Sequence, residues 1–173
     1  DKVRTQGHGA QKIPWRGRVR LDAPQLAKAQ HLRRIRLGAG ALGPGLPDRD
    51  MLLSPQHRLL LGGWRAELHF GDPEYLIAAS HLVNHQGIAP AWDVDTVTYI
   101  HLLFDQHEII FADGLATESF LPGPMTLNTL PSAARDELLA LFPGLAANAP
   151  LQAARPLMKE WEVQLVAPTP PDP

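Results

Sequence analysis

The chain contains no cysteine, so neither a disulfide nor a cysteine-ligated metal can brace it, and its redox compartment cannot be read. It has no apolar run long enough to cross a bilayer. It has no strong excess of either charge: the formal net charge is −2 and the isoelectric point is near 6.5. That balance gives no electrostatic reason to bind nucleic acid or an anionic membrane. No secretory signal is visible, and the first residue is Asp1 rather than Met, as in a processed chain or a fragment.

What the sequence does hold is a core's worth of apolar residues cut into short pieces. They make up 45% of the 173 residues, enough for one globular domain with or without an appendage, and too many for wholesale disorder. Seventeen prolines and fourteen glycines fall between the apolar runs. Proline breaks helices and central strands, and glycine supplies turns. The chain therefore reads as many short strands rather than a helical bundle.

Within 12–21, Ile13, Trp15, Val19 and Leu21 alternate with Lys12, Arg16, Arg18 and Arg20, the period of a strand with one buried face. Arg33, Arg34 and Arg36 form a second basic group. Both groups read as solvated strand faces rather than a phosphate site. Asp22 as N-cap and Pro24 in the first turn predict a short helix over 22–30. Residues 34–37 alternate again, and 38–47 form a turn-rich loop. Residues 51–53 and 57–61 are apolar runs, and Gly62-Gly63 then predicts a hairpin. Trp64, Ala66, Leu68 and Phe70 would alternate along its returning strand. Further strands are expected over 75–80, 97–104, 108–111 and 115–120, with Asp113-Gly114 as the turn between the last two.

The pattern changes after Pro122. Ser132 suits an N-cap, and Leu138, Leu139, Leu141 and Phe142 give helical spacing over 133–142, ended by Pro143-Gly144. A last strand is expected over 157–166 and a frayed tail over 167–173. This gives a β domain at 1–121, a helix-and-strand extension at 122–166, and the tail.

Ser54-Pro55-Gln56-His57 sits between apolar strands. Pro55 fixes its own φ and biases Ser54 to an extended backbone, so one turn can carry a hydroxyl and an imidazole on the same side. Taken alone, Ser-x-x-His is a weak motif, and a hydroxyl-stabilised turn with a half-buried histidine accounts for it.

The surroundings are more specific. Pro47-Asp48-Arg49-Asp50-Met51-Leu52-Leu53-Ser54-Pro55-Gln56-His57-Arg58-Leu59-Leu60-Leu61 resembles the bacterial branch of the Hint (hedgehog/intein) family, in which the Thr-x-x-His block is often written Ser-Pro-x-His. Val97-Thr98-Tyr99-Ile100-His101-Leu102, Asp105-Gln106-His107-Glu108 and Gly114-Leu115-Ala116-Thr117-Glu118-Ser119-Phe120 are similar to that family's late strand pair. Asp1-Lys2-Val3-Arg4-Thr5 is similar to the stretch that follows its nucleophile. The segments Gly38-Ala39-Gly40-Ala41-Leu42-Gly43 and Ser80-His81-Leu82-Val83 add to the match, which covers about residues 1–120.

The resemblance implies a mostly β fold, a compact and curved all-β domain of short strands with the C-terminal extension packed on it. It implies autoproteolytic self-processing: an acyl shift from nitrogen to sulfur or oxygen, then cleavage or transfer of an N-terminal segment. It gives His57 the role of general acid toward the leaving nitrogen. Ser54 would orient that imidazole or bond the scissile peptide, and His107 would assist a later proton transfer. It implies no cofactor and no metal. The partner would be the upstream segment of the same polypeptide, and export is compatible with the bacterial relatives. The oligomeric state stays open.

Three departures qualify the match. The nucleophile should precede Asp1, so the 173 residues by themselves should be inert. Ile100 follows Tyr99 where many inteins place Asp. Thr117-Glu118-Ser119-Phe120 stands where inteins end in His-Asn, so cleavage by Asn cyclisation is not expected. A non-catalytic scaffold used in binding, secretion or assembly is the alternative. His81 and His85, four apart among loop signals, lack the helix and third ligand of a zinc site. His69 and His101 read as ordinary strand residues. Glu118 reads as a structural ion-pair partner in preference to a catalytic carboxylate.

Overall fold

The computed structural model describes residues 1–123, 127–128, 130–146 and 151–166. Strands β1 (Lys2–Thr5), β2 (Gly9–Lys12), β6 (Arg58–Gly62), β7 (Glu74–Ala78), β10 (Ile109–Ala112) and β11 (Leu115–Glu118) form one antiparallel sheet, ordered β2-β1-β10-β11-β6-β7. Strands β4 (Ile35–Leu37), β5 (Met51–Leu53) and β8 (Ile88–Pro90) form a second sheet, ordered β5-β4-β8. Strands β3 (Trp15–Leu21) and β9 (Val97–Leu103) pair along their whole length, Trp15 against Leu103 and Leu21 against Val97. The protein is mostly β, in short antiparallel strands, as the density of proline and glycine implies.

Local chemistry explains several elements. Asp113 (φ 47°) and Gly114 (φ 78°) are both left-handed, and Ala112 faces Leu115, so β10 and β11 join through a two-residue turn of the primed type. Helix α1 (Ala23–Lys28) carries a full capping box: Asp22 Oδ1 accepts from the Gln25 amide at 3.0 Å, and Gln25 Oε1 accepts from the Asp22 amide at 2.9 Å. Gly17 occupies the inward row of β3, where a Cβ would stand 2.1 Å from the Trp15 ring. The arginines Arg16, Arg18 and Arg20 face solvent on the other row. Arg33 and Arg36 are tied down instead: Arg33 reaches the Val94 carbonyl at 3.2 Å and Arg36 pairs with Asp93 at 2.8 Å.

Three expectations are corrected. Residues 64–70 form helix α2 (Trp64–Phe70), not the returning strand of a hairpin, so His69 lies in a helix. Seven residues with apolar positions at every second place satisfy a strand pattern, but Ala66 and Phe70 alone face the core, and they stand one helical turn apart. Gly63 (φ 146°) turns the chain out of β6 and Gly71 (φ 82°) caps the helix. Residues 157–166 are not a strand. Only Leu157 bridges, in parallel, to Leu76, and helix α5 (Glu160–Val166) follows. Glu162 accepts from the Lys159 amide at 2.7 Å and Glu160 lies in the first turn, where carboxylates favour a helix start. Ser132 is the first residue of helix α3 (Ser132–Leu141) rather than its cap, because Pro131 holds the cap position. A short helix α4 (Pro143–Ala146) follows. The tail expected over 167–173 lies outside the described residues.

Two clusters hold these parts together. Ile35, Leu37, Leu59, Ile77, Ala66, Met158 and Val163 belong to the larger one, so the second sheet, α2 and α5 share a core with the large sheet. Trp15, Leu103, Leu138 and Leu145 form the other, joining the β3–β9 pair to α3 and α4. At the far end of β6, a Cβ on Gly62 would lie 1.9 Å from the Pro73 carbonyl oxygen, which already accepts from the Gly63 amide. Backbone cannot move aside cheaply there. Gly62→Ala should cost about 2–3 kcal/mol, read as a lowered urea midpoint with an unchanged slope.

Candidate functional site

The Ser54–His57 turn is fixed by three backbone bonds. The His57 amide donates to the Ser54 carbonyl at 3.0 Å and closes the turn. The turn's own carbonyls then accept from the helical turn that follows β7: Pro55 O from the Ser80 amide at 3.0 Å, and His57 O from the Ala79 amide at 2.9 Å. Pro55 is buried, while Ser54 and His57 are half-buried. The Ser54 hydroxyl has no hydrogen-bond partner among the described residues.

Strand register brings the late block to this turn. Thr117 faces Leu59 across β11 and β6, and Ile109 faces Glu118 across β10 and β11. The end of β11 therefore meets the start of both β6 and β10. Glu118 sits at that junction with its side chain 7% exposed. Its Oε1 accepts from the Arg58 amide at 2.9 Å. Its Oε2 lies 3.2 Å from the Arg58 guanidinium and 3.3 Å from His107 Nε2. Burial pushes the Glu118 carboxyl up, but the His107 hydrogen bond and the charges of Arg58, His57 and His107 outweigh it and hold the group below the usual range.

His107 is fully buried and its tautomer is fixed by its neighbours. The Ala154 amide donates to Nδ1 at 2.9 Å, so the proton of the neutral ring sits on Nε2. From Nε2 it reaches the Ser119 carbonyl at 3.2 Å and Glu118. Around it, the Glu108 amide donates to Ser119 Oγ at 2.9 Å and the Ser119 amide to the Glu108 carbonyl at 2.8 Å. The Phe120 amide then bonds the Leu102 carbonyl at 2.8 Å, which ties β9 to the same junction.

That tie brings in His101. Its ring lies 4.5 Å from the Phe120 ring, and it feels the charge of His57. Burial pushes His57 below the ordinary histidine value. Arg58 and His107 lower it further, while Glu118 opposes them. Burial and then His57 do the same to His101. Tyr99, from the matched late block, is instead pushed up to about 12 by burial and donates to the Leu32 carbonyl.

These shifts set an acid response in two stages. His57 and His101 bind protons less readily folded than unfolded, so the stability they contribute is present above the ordinary value of 6.5 and drains away as pH falls below it. Glu118 is held below its ordinary 4.5, so its contribution is lost at still lower pH. The urea midpoint should therefore fall between about pH 7 and pH 5, and the double variant His57→Gln, His101→Gln should flatten that first step.

Of the three residues expected from sequence, His107 bonds Glu118, His57 feels the Glu118 charge without a hydrogen bond to it, and Ser54 lies at the far end of the His57 turn. Arg58 is an addition; Glu118 is the ion-pair partner the sequence suggests, and His101 is a strand residue as expected, but both stand in the electrostatic surroundings of the site. The Thr117-Glu118-Ser119 match was the signal for Glu118, and only strand register reveals its partners. A pocket of about 230 Å³ opens on the outer side of His107, lined by residues that include His8, Gln106, Glu108 and Arg155, but not His57. There the buried Glu108 carboxylate meets His8 Nδ1 at 2.9 Å.

The model of one family, the Hint domain, matches residues 1–124. No curated protein and no solved structure was found to match.

Proposed function

The chain belongs to the Hint domain family, and from that premise we propose that it is a self-processing domain acting on a peptide bond on its N-terminal side. The observation that carries this reading is the closed Ser54–His57 turn, held to the chain after β7, with a desolvated imidazole whose charged form the buried Glu118 carboxylate favours.

The step balances as follows. The hydroxyl or thiol of a nucleophile preceding Asp1 attacks the neighbouring carbonyl carbon, and neutral His57 takes its proton. The new carbon–oxygen or carbon–sulfur bond gives a tetrahedral intermediate. His57 then returns the proton to the amide nitrogen, the carbon–nitrogen bond breaks, and an ester or thioester and a free amine result. A second nucleophile opens the ester. Burial suits His57 to both halves: it stays neutral near pH 7, and its imidazolium is a stronger acid than usual. The Glu118 charge supports that transient cation. The Ser54 hydroxyl orients the imidazole or bonds the scissile peptide. His107 holds Glu118 in place, since its Nδ1 lone pair is already occupied by the Ala154 amide.

The test uses the complete polypeptide, with whatever precedes Asp1. Mass spectrometry after incubation under reducing conditions with added thiol should find a cut upstream of Asp1. An intact precursor would overturn the reading and favour a non-catalytic scaffold in binding, secretion or assembly, for which Ile100 after Tyr99 is the observation in favour.

A further inference from the structure

We propose that the outer face of α2 and α5 is an interface at which a second copy of this chain docks. The two helices lie against each other, and their inner residues, Ala66 on one and Val163 on the other, enter the same core. A helix advances about 100° per residue, so residues two positions either side of an inward residue point away from the core. On α2 those residues are Trp64 and Leu68, 69% and 70% exposed. On α5 they are Trp161 and Leu165, 59% and 46% exposed. Both helices thus carry an outward Trp-x-x-x-Leu pair, and the helices lie side by side. A chain of balanced composition gains nothing by holding two indoles and two leucines in water. Clustered exposure of this kind marks a contact surface.

Area and charge select the occupant. The four side chains offer roughly 500 Å² of apolar surface, judged from the usual size of an indole. Two copies face to face would cover about 1,000 Å², and the surrounding polar rim brings that to the low end of stable interfaces, about 1,200 Å². The rim carries both signs: Arg65 and Lys159 stand with Glu67, Glu160 and Glu162. Arg65 also lies over the Trp64 ring at 5.4 Å. An excess of acid disfavours an anionic membrane, whereas mixed signs around an apolar centre let each copy answer the other across a two-fold axis.

Sedimentation of the full chain over a wide concentration range should show the mass rising from one copy toward two. The double variant Leu68→Glu, Trp161→Glu should stay at one copy, with circular dichroism and melting temperature like those of the parent. Because the chain has no cysteine, a second test needs no background removal. Leu68→Cys should cross-link under mild oxidation far faster than Thr98→Cys on the exposed face of β9. A monomer at every concentration overturns the proposal, as does a dimer that persists in the glutamate variant, or equal cross-linking at both positions. A monomer whose tryptophan emission shifts to the blue with phosphatidylcholine vesicles assigns the face to lipid and overturns it too. So does a monomer whose emission shifts to the red when the chain is cut after Val166, since the following residues would then be the cover.

Discussion

His57→Ala in the complete polypeptide should reduce cleavage upstream of Asp1 by about 10²–10⁴-fold, the usual range for losing a positioned acid–base group. The size follows from what the imidazole does in the proposed step: it removes one proton and delivers the same proton to a nitrogen that leaves poorly without it. His107 cannot take its place. His107 is sealed, with Nδ1 occupied by the Ala154 amide and Nε2 donating toward Ser119 and Glu118. The pH profile separates a chemical role from a structural one. Since burial lowers the His57 value, the rate should hold steady to a lower pH than an ordinary histidine would allow, then fall as His57 charges. Glu118 opposes that lowering, so Glu118→Gln should move the acid limb further down while slowing the reaction. An unchanged rate in the His57→Ala variant, with its fold intact by circular dichroism, would remove His57 from the mechanism.

Glu118→Ala should cost about 3 kcal/mol in stability, because it strips the carboxylate partner from the partly buried Arg58 guanidinium and takes an acceptor from two donors. Those donors are the Arg58 amide at 2.9 Å from Oε1 and His107 Nε2 at 3.3 Å from Oε2. Glu118→Gln is a sharper probe than it looks. The carboxylate accepts on both oxygens, whereas an amide has one acceptor and one donor end. Since the Ala154 amide keeps the His107 proton on Nε2, either orientation of the glutamine sets its NH₂ against an N–H. That variant should lose about 1–3 kcal/mol. Urea unfolding at pH 7 measures both. If Glu118→Gln were as stable as the parent, the tautomer assigned to His107 would be wrong.

The sequence was legible wherever a local rule has one solution. Asp113-Gly114 can place two left-handed residues in succession, and the two-residue turn is there. Asp22 with Gln25 three residues on makes the capping box. Strand alternation around Trp15 held because Gly17, the one inward position without a side chain, leaves room for the indole. Residues 64–70 and 157–166 fold otherwise than their alternation predicts, because a short segment fits both periods. What separated helix from strand was which residues the rest of the protein covered.

The sequence by itself determined that this would be a protein of short antiparallel strands, and that a proline turn would present Ser54 and His57. Both follow from neighbours in the chain, through backbone limits and alternation. Only the tertiary structure decided what stands around His57. Glu118 reaches it through the registers of β11 on β6 and on β10, and His101 through the Phe120–Leu102 bond. Ala154, 47 residues beyond His107, fixes the proton on that ring. Such contacts join residues far apart in the chain, and a field acting on an imidazole depends on distance and burial, which no local pattern encodes.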